Sequence, residues 1–351
     1  MSLLYSKIQP LIYDNDSFAE AFETLLLSSD QMKIASGYIS EESLMELKSV
    51  LDFYKNEDKI KSCDLIIGMH HREGFTRPQY EAAKNLAEFL AEFELGAVRV
   101  CTAFKFHGKV YSFFKDNAPF ASIMGSSNLS NMIESRQWEV DYIFRDDETL
   151  GKLDALHADL VAKATKNILD LPKPEKFNEN QGLLEGRTGV EKLHLDDLES
   201  YKGQQDGVVF EIPLKAEAKS NLNTYFGKGR QQPNGAIRPR PWYEVEIIVP
   251  TTITRLEGYP HSGTVFNVIT DDGWKFKCKI SGQNDKNLRS EDDLKTLGRW
   301  IKGRLEAAGI LQVGQPITAE MLEKYGRNNL TLSHTKDPET WLLDFSVNKT
   351  E

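Results

Sequence analysis

No CxxC pair occurs in this 351-residue chain, and its cysteines, Cys63, Cys101 and Cys278, are scattered. That argues against both a zinc site and a disulfide framework. No window approaches about 18 uncharged apolar residues, so no membrane span is expected. The opening residues, MSLLYSKIQPLIYDND, lack the apolar core and small-residue cleavage site of a secretion signal, and a cytoplasmic protein is the expectation. No internal repeat and no low-complexity tract is visible. A positive charge balance is missing too: 43 Lys and Arg stand against 53 Asp and Glu, a net charge of −10. The deficit is uneven. From position 180 onward 23 basic residues face 24 acidic ones, which leaves 20 against 29 before it. An acidic total slows non-specific capture by nucleic acid, yet the nearly neutral second half leaves room for a local basic groove.

What is present is an ordinary globular balance, 40% apolar and 27% charged, at a length that favours two domains. In the first half, residues 32–39, 63–69, 97–104, 109–114, 121–127 and 138–144 read as strands. Residues 41–54, 78–93 and 147–165 read as helices, the second with Pro78 near its first turn. This alternation predicts an α/β domain, a layered sheet with flanking helices. Residues 171–189 mix Pro, Asn, Gly and charge without a period. We therefore divide the chain into domains at 1–175 and 190–351 with a linker at 176–189. Beyond the linker, GVVFEIPL, WYEVEIIVP, TVFNVITDDGWKFKCKIS and WLLDFSV read as strands separated by turns, and 292–309 as one helix. That pattern predicts a mostly β domain of barrel or sandwich type.

One segment carries chemistry: FKFHGKVYSFFKDNAPFASIMGSSNLSNMIESRQWEVDYIF. It holds His107-x-Lys109, then Gly125-Ser126-x-Asn128, then Glu134 and Glu139, each at or just beyond a predicted strand end. A phosphodiester is an anion that repels nucleophiles, so its oxygens must first be neutralised. Lys109 and the Asn128 amide can do that, with the Ser126 hydroxyl beside them. An imidazole can attack phosphorus or protonate a leaving oxygen. A carboxylate such as Glu139 can hold the ring in one tautomer. No Asp/Glu cluster of the two-metal kind stands near the motif, so no metal is assigned. HxK alone means little, since His334-Thr335-Lys336 also fits and no GSxN follows it.

HGKVY followed by GSSN closely resembles the phospholipase D superfamily signature, HxK followed by GSxN. The resemblance implies that His107 is nucleophile or acid, that Lys109 and Asn128 clamp the phosphate, and that Ser126 supports them. It further implies that Glu139, or in second place Glu134, orients a histidine. The superfamily's usual Asp is not at its usual spacing; Asp116, two positions late, is the nearest. Superfamily sites use two HxK motifs, and this chain has one credible copy, which implies a homodimer through the N-terminal domain. Beyond the motif, the chain resembles restriction endonucleases of the NgoFVII, NgoAVII and CglI group. These join a phospholipase D-like nuclease to a C-terminal B3-like DNA-binding domain. The resemblance implies a type II-like restriction endonuclease subunit that recognises double-stranded DNA. It would hydrolyse it without metal, through a covalent phosphohistidine. It also implies a separate ATPase or translocase subunit that uses ATP with Mg, because this sequence has no GxxxxGK[ST] segment.

Lys219 to Tyr243 is free of acid and carries Lys219, Lys228, Arg230, Arg238 and Arg240, interleaved with Asn223, Gln231, Gln232 and Asn234. Arg and Lys suit phosphates and guanine edges, and Asn or Gln suits adenine. A second stretch, KYGRNNLTLSHTKD, offers Arg327, Asn328, Asn329, His334 and Lys336, and both are assigned as DNA-contacting loops. SGQNDKNLRSEDD is a lesser candidate. His70 and His71 follow a strand, but adjacent residues of an extended chain point apart, and a surface loop is the simpler reading. Two other readings remain open: a phosphodiesterase acting on a non-DNA diester, and a DNA-binding protein whose nuclease fold is inactive.

Overall fold

The computed structural model describes residues 2–55, 59–133, 135, 137–178, 183–231 and 237–347. It divides into two compact units, residues 1–179 and 180–351, each with its own core. Among the described residues no helix is long and apolar enough to cross a membrane.

Eight strands are described in the first unit: β1 (Ser2–Tyr5), β2 (Gln31–Ser36), β3 (Ser62–Ile67), β4 (Val98–Cys101), β5 (Lys109–Lys115), β6 (Ala118–Gly125), β7 (Val140–Phe144) and β8 (Thr165–Asn167). They form one sheet in the order β1-β7-β6-β5-β2-β3-β4-β8. β2, β3 and β4 are parallel, and the other pairings are antiparallel. The central strand β5 is buried from Lys109 to Phe114 because both sheet faces are covered. On one face, α1 (Phe18–Ser28) sets Phe18 and Phe22 edge-on against Tyr111 and Phe113, with centroids 4.8 and 5.4 Å apart. On the other, α5 (Asp147–Lys163) brings Leu160 onto Ala35, Ile66 and Cys101. Between these two come α2 (Glu41–Lys55), the short α3 (His70–Glu73) and α4 (Arg77–Glu92). Capping boxes at Ser17/Glu20 and Thr76/Gln79 fix where α1 and α4 begin. The layered α/β expectation holds. β1, α1 and β8 are additions, two of them too short to show a period.

Strand register decides which residues meet at the sheet's end. Ser36 lies opposite Lys109, Val110 opposite Met124, and Gly125 opposite Asp141. One end of the sheet therefore brings together the last residue of β2, the first of β5, the last of β6 and the start of β7.

The second unit contains β9 (Glu191–Lys192), β10 (Gln205–Pro213), β11 (Arg230–Gln231), β12 (Ile237–Arg238), β13 (Ile247–Ile248), β14 (Val265–Thr270), β15 (Trp274–Ser281), β16 (Asn287–Ser290), β17 (Asn329–Thr335) and β18 (Thr340–Asp344). The main sheet runs β10-β17-β18-β14-β15-β16-β13, with β9 joining β15 and β11 pairing β12 apart. α6 (Leu195–Lys202), α7 (Thr251–Thr254), α8 (Thr296–Ala307) and α9 (Ala319–Tyr325) decorate it. The mostly β expectation holds, with one correction. KYGRNNLTLSHTKD is not a loop: α9 is capped by Gly326 (φ 91°), and residues 329–335 are strand β17, paired on both sides by β10 and β18. Leu330 and Leu332 bury inward there, an alternation that marks a strand.

A second correction concerns Asn223, expected from the sequence to contact DNA. It is 1% exposed, donates to the Glu217 and Ile317 carbonyls at 2.9 and 2.8 Å, and accepts from the Ile317 amide at 2.8 Å. It ties the Lys219 segment to the chain before α9. Replacing it leaves buried backbone groups without partners, at about 1–3 kcal/mol for each. We therefore expect Asn223→Ala to cost the second unit at least about 2 kcal/mol. Urea unfolding followed by fluorescence checks this, because four of the five tryptophans lie in that unit; an unchanged midpoint would refute it.

Candidate active site

His107 stands exposed just before β5, and Lys109 begins that strand with only 6% of its surface exposed. Lys109 Nζ lies 3.0 Å from His107 Nε2 and donates to the His107 carbonyl at 2.8 Å. When the amine is charged it can only donate, so Nε2 accepts and a neutral ring carries its proton on Nδ1. Burial lowers the Lys109 pKa, while the charges of Glu139 and Asp141 oppose that shift. The His107 ring rests on Gly37, where an added Cβ would come within 3.1 Å of it, and Tyr38 meets it edge-on at 5.5 Å. Behind it, Gly68 lets Phe106 approach so closely that a Cβ would sit 1.9 Å from the Phe106 carbonyl oxygen.

The GSSN turn is held from below. Ser127, not Ser126, is the buried serine, and its amide and hydroxyl donate to Asp141 at 2.9 and 2.6 Å. Its carbonyl accepts from the Tyr111 hydroxyl at 2.8 Å. Ser36 accepts from the Leu129 amide at 3.0 Å. Asn128 Oδ1 accepts from the Tyr38 amide at 3.1 Å, which leaves the Asn128 NH₂ as the outward donor. The Ser126 hydroxyl bonds the Val140 backbone, accepting from its amide at 3.0 Å, so it supports the turn through the main chain.

Glu139 is fixed by backbone bonds with Ser6, and its charge bears on Lys109. Among the described residues it makes no hydrogen bond to His107. Glu134 lies outside the described residues. Asp116 is corrected: it sits in the turn at the far end of β5, with φ 50°, facing Lys61 at 3.4 Å. His70 is a buried packing residue, stacked on Phe75 at 4.9 Å, and its burial lowers its pKa. It accepts from the Ile39 amide at 3.3 Å. Asp141, Ser127, Ser36 and Tyr38 were missed by sequence reasoning. Only the register of four strands reveals them, apart from Ser127, which lay inside the motif. Among the described residues there is no group of three or more His, Cys, Asp or Glu that could hold a metal ion.

In the second unit, Pro213 pairs with Asn329, so the Lys219 segment and Asn328 leave the same end of the sheet. His334 and Lys336 leave the other end, about 20 Å away. Several assigned cations are committed within the unit. Arg240 donates to Glu244 at 2.9 Å and to Glu246 at 3.1 Å, and Arg230 also pairs with Glu244. Glu244 is 1% exposed and needs that compensation. Arg327 is held by Asp344 at 2.9 Å, the Ser346 carbonyl at 2.7 Å and Asn329 at 3.2 Å. His334 pairs with Asp206 at 2.5 Å and packs on Trp341. These corrections leave Lys219, Lys228, Gln231, Asn328 and Lys336 exposed, with Arg230 half-exposed. Gln232, Asn234 and the Arg238 side chain lie outside the described residues.

The geometry makes Asp141 a positioning residue for Asn128. We expect Asp141→Ala to slow phosphodiester cleavage at least tenfold, because losing the acceptor of a buried N–H costs about 1–3 kcal/mol. Equal kcat for variant and wild type on a nitrophenyl phosphodiester would refute this.

A family model described as the NgoFVII restriction endonuclease N-terminal PLD domain matches residues 16–170. Another, the NgoFVII C-terminal B3-like DNA-binding domain, matches residues 200–336. No curated protein matches the sequence. Among solved structures, NucT from Helicobacter pylori is similar at 16% identity, over 41% of this chain and 89% of that one, with a TM-score of 0.31. Nuc from Salmonella typhimurium, a phospholipase D family member, is similar at 14%, over 47% and 96%, with a TM-score of 0.32. Phosphatidylserine synthase from Haemophilus influenzae is similar at 16%, over 49% and 41%, with a TM-score of 0.36. With one family's two models matched in order, one to each unit, the chain belongs to the NgoFVII-type restriction endonucleases, a phospholipase D-like nuclease domain followed by a B3-like DNA-binding domain.

Proposed function

We propose that this chain cuts double-stranded DNA at a sequence read by its second unit, by a metal-independent route through a phosphohistidine on His107. The observation that carries the reading is the contact of Lys109 Nζ with His107 Nε2 beside the outward amide of Asn128. Lys109 and Asn128 neutralise the phosphate oxygens, the work a metal does elsewhere. As the phosphate draws the ammonium away, the Nε2 lone pair is freed. It forms the N–P bond while the P–O bond to the leaving strand breaks. An imidazolium must protonate the leaving oxygen, and a water must then cleave the N–P bond. With one HxK in the chain, the second imidazole comes from another copy. The working form is a homodimer through the first unit, with one composite site. ATP and Mg belong to a separate ATPase or translocase partner.

Lys219, Lys228, Arg230, Gln231 and Asn328 are assigned to the DNA face at one end of the second unit's sheet, and Lys336 to its other end.

Plasmid cleavage by the chain alone in excess EDTA tests the chemistry. Wild type should remain active, and His107→Ala should lose about a thousandfold or more. Complete inhibition by EDTA would overturn the metal-independent route, and an active His107→Ala would overturn the nucleophile.

Sedimentation of the full chain should give a dimer; an active, strictly monomeric chain would rule out the composite site.

A further inference from the structure

Beside His107 lies a second feature that the cleavage chemistry does not use. Phe104, three residues before the nucleophile, is 49% exposed. The backbone beneath it is fixed on both sides. Arg72 donates to the Thr102 and Ala103 carbonyls at 2.8 and 3.0 Å. The Thr102 and Ala103 amides both donate to the Ala164 carbonyl, at 2.9 and 3.2 Å, and the Phe106 amide donates to the Gly68 carbonyl at 3.1 Å. A surface phenyl ring gains nothing in water from such a rigid seat. It would gain if a planar partner met it there, because the entropy of ordering is already spent.

The surroundings point to an anion. Arg72 is bound to the backbone just before Phe104, Lys105 follows it in sequence and Lys166 stands opposite Val100 on β8; all three are exposed, within the half of the chain that has 20 basic against 29 acidic residues. Arg72 and Lys166 are near enough for their charges to lower the His71 pKa, after burial as the larger cause. Glu73 answers Lys105 at 2.9 Å and also takes the Tyr38 hydroxyl at 2.7 Å. Cations beside an exposed aromatic are what a nucleotide strand requires: charge for the phosphates and a flat apolar face for a base.

We propose that Phe104, with Arg72, Lys105 and Lys166 around it, is a nucleotide subsite that stacks a base of the cut strand next to the scissile phosphate. The subsite rests on the proposed nuclease function and adds a substrate contact within the first unit, separate from the sequence-reading half. It positions the strand and takes no part in the proton or phosphoryl transfers.

The test compares two substrates of the full chain: plasmid DNA and bis(p-nitrophenyl) phosphate, which has no base to stack. Phe104→Ala should lower kcat/KM on DNA about tenfold or more, the scale of one lost base stack. On the small diester it should stay within about twofold. Phe104→Trp should restore DNA cleavage, and Arg72→Ala, which removes the seat, should reproduce part of the loss. An equal loss on both substrates would mean a structural role and overturn the proposal. So would unchanged DNA cleavage by Phe104→Ala. If wild type cleaves the small diester but not DNA, the DNA reading itself fails, and the subsite with it.

Discussion

Asp141 is a carboxylate with 2% of its surface exposed, and the turn bearing Asn128 hangs from it. Burial, helped by the charge of Glu139, raises its pKa, and the two donors from Ser127 pull the other way. Its charge is useful two strands away, since it opposes the burial that lowers the Lys109 pKa. A single buried acid thus holds the turn that bears Asn128 and, after Glu139, favours the charged form of Lys109. Because β7 is paired to β6, and β6 to β5, the distance between these groups is fixed by ladder hydrogen bonds rather than by flexible side chains.

The second unit treats its cations differently. Glu244 is buried and draws in Arg240 and Arg230, and Glu306 takes the Trp242 indole and Tyr243 hydroxyl on α8. These bonds hold the Arg-rich segment to the core. Among the described residues Lys219 and Lys228 show no such carboxylate partner, and Arg230 keeps about half of its side chain exposed beyond its bond to Glu244. A count of basic residues therefore overstates the face available to DNA, since some of them build the support for the others.

Much of this was legible from residue order. The six central strands, α2, α4 and α5 announced themselves by pattern, and HxK with GSxN marked the candidate site. What escaped had physical reasons. Asn223 and Arg327 have the same chemistry whether they meet a base or a carbonyl 94 or 19 residues away, and only folding decides between them. The β17 strand hid behind its Asn-rich start, although Leu330 and Leu332 alternate within it. Asp116 looked near the motif in sequence, yet β5 carries it to the opposite end of the sheet. Asp141 drew no notice because a lone acid in a strand has no pattern. Its meaning lies in standing opposite Gly125.

Gly68 and Gly125 have no room for a methyl group: a Cβ would meet the Phe106 carbonyl oxygen at 1.9 Å and Asp141 Oδ1 at 2.3 Å. Both obstacles are themselves fixed, one by backbone and one by the Ser127 clamp. At these two positions, then, inherited variation has no neutral step to take. The Lys219 segment of the second unit carries the same restriction at Gly227, where a Cβ would come within 2.7 Å of the Lys219 carbonyl oxygen. Both units thus hold glycines that a lineage of such proteins can exchange only by rebuilding the backbone around them.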